Sequence, residues 1–97
     1  MRIQLRIYTI NRGALDVFAT EWEEMIKPLR LKLGFTIPGA WKLEATNQFV
    51  WLMGYDGPGS WDDLDRAYFQ SNERAAMAPD PARNIARMEE YFLDPVG

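Results

Sequence analysis

The segment Phe49–Tyr55 constrains the fold of this chain more than any other segment. All of its residues except Gly54 are apolar, so both faces are apolar if the segment is extended. Such a strand is typical of the interior of a sheet with both faces covered. A domain of this length buries only about 60–65% of the surface of its unfolded chain. We therefore predict a central strand, with a second copy of the chain covering the sheet face that the helices leave open.

The first residues of the chain alternate between apolar and polar, which predicts a strand with one apolar face. The apolar set is Ile3, Leu5 and Ile7, and the alternate set is Gln4, Arg6 and Tyr8. Apolar residues at helical spacing then predict a helix over residues 14 to 33, ended by Gly34. Pro28 lacks a backbone donor, so we expect a kink or short break near residues 24 to 28.

The second half of the chain predicts a second strand at Gly39–Glu44, with Pro38 beside it indicating a sheet edge. A second helix is expected over residues 61 to 76, because Ser60 and Asp63 have the spacing of a capping box. The stretch from Asn84 to Leu93 fits a helix or a strand, and periodicity does not decide between them. If it is a strand, the order is the βαββαβ arrangement of ferredoxin-like domains.

Composition excludes several classes of chemistry. The chain has no cysteine and no histidine, which removes disulfides, thiolate chemistry, the commonest metal ligand and the usual general base. A net charge of -3 with scattered basic residues argues against a nucleic-acid partner. No segment has the apolar length of a membrane span or a signal peptide, so we predict a cytoplasmic protein without a membrane partner.

The pattern of scattered residues along nearly the whole chain resembles the NIPSNAP family. The matching positions are Leu5 to Ile10, Gly13, Leu15, Phe18, Trp22, Gly34, Gly39, Trp41, Asn47 to Leu52, Tyr55 and Asp80–Pro81. The resemblance implies one NIPSNAP-like domain over residues 1 to 97, an α+β fold with a four-stranded antiparallel sheet, and pairing as a dimeric α/β barrel. It also implies that Ile85–Leu93 is the fourth strand. It implies no reaction, and Trp51 stands where relatives commonly have a histidine.

A ligand site is predicted in the cleft between the two sheets of such a dimer. If Ile3, Leu5 and Ile7 pack under the helices, the alternate face of the strand points into this cleft. Arg6 would then hold an anionic or carbonyl group, and Tyr8 would donate a hydrogen bond. The alternative is that Arg6 forms an ion pair with Glu44, Glu89 or Glu90 and binds no ligand.

Aromatic residues complete the predicted ligand-binding set, which is Arg6, Tyr8, Trp41, Trp51 and Tyr55. Together with Met53, these aromatic residues suit an apolar pocket and suit the core of a dimer equally well. Three aspartates, Asp62, Asp63 and Asp65, crowd the start of the second helix. We interpret them as residues that cap the helix and complement its dipole, not as a metal site.

The main functional hypothesis is a homodimer that binds a small apolar molecule with one polar end. The rival is a cofactor-independent enzyme, such as a small monooxygenase, isomerase or decarboxylase acting on an aromatic or polyketide-like substrate, in which arginine and tyrosine stabilise an oxyanion. A pure protein-interaction module is a third possibility. No cofactor and no metal are predicted.

Overall fold

The computed structural model describes all 97 residues. The strands are β1 (Arg2–Ile10), β2 (Thr36–Leu43), β3 (Gln48–Tyr55) and β4 (Ile85–Leu93). The helices are α1 (Leu15–Glu21), α2 (Lys27–Lys32), α3 (Trp61–Gln70) and α4 (Asn72–Ala75), with a π-helical turn at Trp22–Ile26 and 3-10 turns at Glu44–Thr46 and Pro81–Asn84. The last segment of the chain is therefore a strand, as the resemblance implied.

The strands form one antiparallel sheet in the order β2-β3-β1-β4. This arrangement confirms the predicted ferredoxin-like fold and the central position of β3. Pro38 lies in the edge strand β2, where the pairing register shifts between Thr36 and Gly39. An edge strand tolerates the missing backbone donor of proline because one side of the strand has no partner.

The helices cover one face of the sheet, and the molecule is only 18 Å thick in its shortest dimension. Side chains from β1, β3 and the helices form the core between these two layers. It consists of Tyr8, Ile10, Leu15, Phe18, Trp22, Ile26, Leu29, Phe35, Phe49, Trp51, Met53, Trp61 and Tyr68. One face of β3 is thus sheltered within a single chain, and the other face is not.

The two faces of β1 are reversed relative to the sequence prediction. Gln4, Arg6 and Tyr8 are 5%, 1% and 4% exposed and lie beneath the helices. Ile3, Leu5 and Ile7 are only half-buried and lie on the open face. The Tyr8 ring packs edge-on against Phe18 of α1, at 5.8 Å between ring centroids. The prediction that Arg6 and Tyr8 point into a cleft between two sheets is therefore wrong.

The first helical segment contains the predicted break. At the end of the π-helical turn the backbone N–H of Lys27 donates to the carbonyl of Trp22, five residues earlier. Pro28 follows at once, and it has no backbone N–H to continue an α-helical ladder through the turn. Gly34 has φ of 101°, a left-handed conformation that ends the helical segment where the sequence predicted its end.

The second helical segment is two helices and not the single helix predicted over residues 61 to 76. The Ser60 hydroxyl accepts the backbone N–H of Asp63, which confirms the predicted cap. Ser71 has an extended backbone, with ψ of 147°, and this ends α3. Its hydroxyl accepts from Arg74 and starts α4, so a second local cap competes with a continuous helix.

The open face of the sheet is apolar and uncovered. Cross-strand pairing places Trp41 beside Val50, and Leu5 between Leu52 and Tyr91. Trp41 is 55% exposed and Tyr91 is 50% exposed. None of the helices combines the length and the apolar character that crossing a membrane requires.

Candidate functional site

The most distinctive cavity lies between the sheet and the helical layer and has a volume of about 50 Å³. We call it the arginine pocket, after the three arginines among its lining residues. These residues are Arg6, Tyr8, Ile26, Arg30, Trp51, Tyr68, Phe69, Arg74, Ala82, Ile85 and Met88. No acidic side chain is among them.

The sheet supplies one wall of the arginine pocket. Arg6 of β1 and Trp51 of β3 are direct cross-strand partners, so both side chains project from the same face of the sheet. The indole of Trp51 contacts Trp22 on one side and Tyr8 on the other, with ring centroids 5.3 Å and 6.3 Å away. These packed rings fix the position of Trp51, which is 0% exposed.

Arg6 has partners for all of its donor nitrogens. Its Nε donates to Oε1 of Gln4 at 2.7 Å, and Nη1 donates to the Tyr8 hydroxyl at 3.2 Å. Its Nη2 lies 3.2 Å from a carboxylate oxygen of Glu90 and 3.4 Å from one of Asp65. Glu90 is one of the three partners that the non-ligand alternative had named. Arg6 is therefore neutralised within the chain.

Arg30 of α2 is equally buried, at 1% exposed, but it has fewer partners. Its Nη1 donates to Asp65 at 2.7 Å, so two buried arginines share this one carboxylate. The guanidinium carbon lies 3.5 Å from the centroid of the Tyr68 ring and 5.0 Å from that of Phe35. The aromatic faces partly replace the water that burial removes from this cation.

The two arginines differ in how far neighbouring groups offset the effect of burial on their pKa values. Burial and the neighbouring Arg6 cation lower the pKa of Arg30, and the Asp65 carboxylate does not fully compensate. Burial also acts to lower the pKa of Arg6, but Tyr8, Glu90 and Asp65 outweigh it, so that the pKa of Arg6 is raised. Arg30 is therefore the less well compensated of the two buried cations.

Three buried nitrogens on residues lining the pocket have no hydrogen-bond partner. They are Nε of Arg30, Nε of Arg74 and Nε1 of Trp51. Each is a donor, and an unpaired buried donor costs about 1–3 kcal/mol. Residues that line the pocket therefore carry donors that the chain itself leaves unpaired.

No protein-family model and no curated protein matches the sequence, but solved structures do match the fold. An uncharacterised NIPSNAP domain protein from Burkholderia xenovorans superposes with a TM-score of 0.85 at 18% identity, over 99% of this chain and 95% of that chain. A NIPSNAP family protein from Agrobacterium tumefaciens gives 0.83 at 18% identity, over 98% and 85% of the two chains. The chain shares the NIPSNAP fold.

The fold also extends to a second group of proteins. A putative antibiotic biosynthesis monooxygenase from Nitrosomonas europaea superposes with a TM-score of 0.70 at 9% identity, over 100% of both chains. The resemblance inferred from the sequence is thus confirmed at the level of the fold.

On this NIPSNAP-like fold, only some of the predicted site residues come together. Arg6, Tyr8 and Trp51 line the arginine pocket. Trp41 lies on the opposite face of the sheet. Tyr55 lies away from the pocket, packs against Phe35 and donates its hydroxyl to the carbonyl of Pro58. A ligand-binding role for these residues stays a prediction.

Arg30 and Asp65 were not among the site residues predicted from the sequence. The sequence pattern indicated only a capping role for Asp65 at the start of α3. Asp65 instead lies on the buried stripe of α3, four residues after Trp61 and three before Tyr68. A charged residue on an apolar helical stripe is the signal that could have identified it, because such a residue needs a buried partner.

The other grooves on the surface are weaker candidates for a binding site. Grooves of about 410 Å³ beside α4 and about 420 Å³ beside β2 are not lined by a buried charged side chain. No group of three or more acidic residues lies together in an arrangement that could hold a metal ion. The arginine pocket is therefore the best candidate for a functional site.

Proposed function

We propose that this protein binds a small molecule in the arginine pocket and works as a homodimer. The observation that carries the binding role is the set of unpaired donors of Arg30, Arg74 and Trp51 around one cavity. Buried polar groups normally have partners, and exceptions need an explanation. An acceptor group of a ligand bound among these residues would give such donors a partner.

The experiment follows the indole N–H resonances of the four tryptophans by NMR while small molecules are added. Probes with one chain length and three head groups are suitable: octan-1-ol, octylamine and sodium octanoate. A Trp51→Phe variant assigns the Trp51 resonance by its disappearance. We expect at least one probe to shift this resonance before it affects Trp41, which lies on the other face of the sheet. The binding role is wrong if no probe moves the Trp51 resonance.

The homodimer is proposed from the open face of the sheet. On this face, the half-buried side chains of Leu5 and Leu52 form one apolar strip with the exposed side chains of Trp41 and Tyr91. Contiguous apolar patches of this kind mark association sites. A second copy is the occupant that we favour, because the apolar strip runs across all four strands and a two-fold axis would place the same strip of two copies in contact.

Sedimentation velocity at micromolar concentration tests the dimer. We expect the unmodified chain to sediment as a dimer and Trp41→Lys to sediment as a monomer with an unchanged circular dichroism spectrum. Val17→Lys is the matched control, since Val17 is 50% exposed but lies on α1, on the helical side. A monomeric unmodified chain would overturn the proposed assembly and leave the pocket experiment unaffected.

A cofactor-independent enzyme of the dimeric α/β barrel type is the second candidate. It is favoured by the fold shared with a putative antibiotic biosynthesis monooxygenase and by the unpaired donors of Arg30, Arg74 and Trp51 on residues that line the pocket. Such donors stabilise an oxyanion that develops on an aromatic substrate. Oxygen uptake with 1,4-dihydroxynaphthalene is the test. Acceleration over the protein-free rate that is lost in Arg30→Gln would support the enzyme, and equal rates with and without protein would argue against it.

A further inference from the structure

The charges and donors of the arginine pocket define a ligand more narrowly, on the basis of the small-molecule role proposed above. We propose that the pocket binds the carboxylate of an amphipathic monoanion, whose apolar part leaves the pocket between Phe69 and Met88. The distribution of charge, the type of hydrogen-bonding group and the size and apolar lining of the cavity each support this assignment.

The charge is distributed with the cations inside and the anions outside. The side chains of Arg6, Arg30 and Arg74 are 1%, 1% and 15% exposed and line the cavity. Their carboxylate partners are more exposed and do not line it. Asp65 is 24% exposed, Glu90 is 39% exposed and Asp80 is 55% exposed. The interior of the pocket is therefore positive, although the whole cluster is close to neutral.

The unpaired groups are of one type. Nε of Arg30, Nε of Arg74 and Nε1 of Trp51 can only donate. A hydroxyl or an amine in the pocket would bring its own hydrogens to a wall that is rich in donors. An ionised carboxylate accepts at both oxygens and brings none, and hydrogen bonds between charged partners are about twice as strong as neutral ones.

The cavity is the size of a head group and not of a whole ligand. A volume of about 50 Å³ holds a carboxylate but not a drug-sized molecule, which needs about 300 Å³ or more. Exposed Phe69 and Met88, at 52% and 42%, stand with Ile85 among the lining residues. These apolar side chains suit an alkyl or aromatic chain that continues from the head group toward solvent.

The comparison of head groups described above tests the inference directly. We expect sodium octanoate to move the Trp51 indole resonance downfield, as a new hydrogen bond does, and to bind at least about tenfold more tightly than octan-1-ol. Octylamine is expected not to bind. If octan-1-ol binds as tightly as octanoate, the carboxylate assignment is wrong while the small-molecule role stands. If no probe shifts Trp51, both are wrong.

A pair of variants adds a test that does not depend on folding of the buried core. Arg74 has a side chain only 15% exposed but lies on the short α4, so Arg74→Gln removes one cation of the pocket with little effect on the core. We expect octanoate to bind about tenfold more weakly to Arg74→Gln, since one charged hydrogen bond is lost. Arg83→Gln is the control, because Arg83 pairs with Glu21 outside the pocket.

The outcomes of this pair are unambiguous. Weaker binding of octanoate to Arg74→Gln, with binding to Arg83→Gln unchanged, supports a carboxylate in the pocket. An equal loss in both variants indicates attraction by net charge alone and overturns the inference. Unchanged binding to Arg74→Gln overturns it as well, because the head group would then lie elsewhere.

Discussion

Arg30 places its guanidinium carbon 3.5 Å from the centre of the Tyr68 ring while it donates to Asp65 at 2.7 Å. The strand residue Arg6 reaches the same carboxylate from the other layer, with 3.4 Å between Nη2 and Oδ1. One acidic side chain on α3 therefore links α2 to β1. Loss of the Asp65 carboxylate leaves Arg30 without its ion-pair partner and Arg6 with Glu90 alone.

Asp65→Asn should destabilise the fold. The substitution removes the negative charge that Arg6 and Arg30 share, and breaking a buried ion pair costs about 3–5 kcal/mol. Because Asp65 is 24% exposed, we expect a loss of about 2 kcal/mol in the free energy of unfolding, measured by urea denaturation. Asp62→Asn is the control, since Asp62 is exposed on the same helix. Equal effects of the two variants would show that the buried pairing contributes little.

Tyr68→Phe should change how stability depends on alkaline pH. Burial raises the pKa of Tyr68 above its ordinary value of 10.0. The unfolded chain then loses this proton more readily than the folded chain, so the contribution of Tyr68 is fully present below about pH 10 and is lost as the pH rises through the folded pKa. Between these values the unmodified protein should lose stability faster than Tyr68→Phe. Parallel curves of unfolding free energy against pH would contradict this expectation.

Gly39→Ala should affect assembly more than folding. The Trp41 ring lies over Gly39 on the open face, and a Cβ at this position would lie 2.6 Å from Cη2 of the indole. Because Trp41 is 55% exposed, we expect its ring to swing outward at a cost of less than about 1 kcal/mol to the single chain. The displaced ring should weaken the proposed dimer about tenfold or more in sedimentation equilibrium.

The double variant Gly39→Ala with Trp41→Ala separates the clash from the methyl group itself. If Gly39→Ala acts only by moving the indole, adding it to Trp41→Ala should have no further effect on the dimer. An additional loss of dimer affinity in the double variant would show that the methyl group acts through the backbone of β2 and not through the indole.

Ser60→Ala should weaken the start of α3. The Ser60 hydroxyl accepts the N–H of Asp63 at 3.1 Å, and removal of such a cap costs about 1 kcal/mol. Urea denaturation should give a loss of this size, and Ser60→Asp should restore most of it because aspartate caps equally well. If Ser60→Ala and Ser60→Asp are equally destabilised, the side chain acts through some other contact.

The fold could be predicted from the sequence because its signals are local. The two apolar faces of Phe49–Tyr55, the Ser60 cap and the turn at Gly34 all depend on residues close together in the chain. The split of the second helix at Ser71 was missed, because a serine in mid-helix indicates a cap only when the neighbouring packing also favours a break.

The faces of β1 could not be assigned from alternation alone. The rule that polar residues face away from the helices fails here because Arg6 finds Glu90 and Asp65 only in the folded sheet. The apolar set of β1 faces outward because the open side of this sheet is apolar too. A comparison of side-chain size would have helped, since the larger residues Phe49, Trp51 and Met53 lie on the helical side.

The π-helical turn at Trp22–Ile26 determines which way the side chains after it point. Trp22 and Arg30 are eight positions apart, so in a regular α-helix their side chains would point about 80° apart around the axis. The wide turn takes up one additional residue, which reduces the angle between the two side chains to about 20°. Both side chains can therefore face the sheet. Deleting one residue from this turn would remove the additional residue and leave Arg30 directed as it is now, whereas a deletion just after Pro28 would rotate the guanidinium away from the sheet.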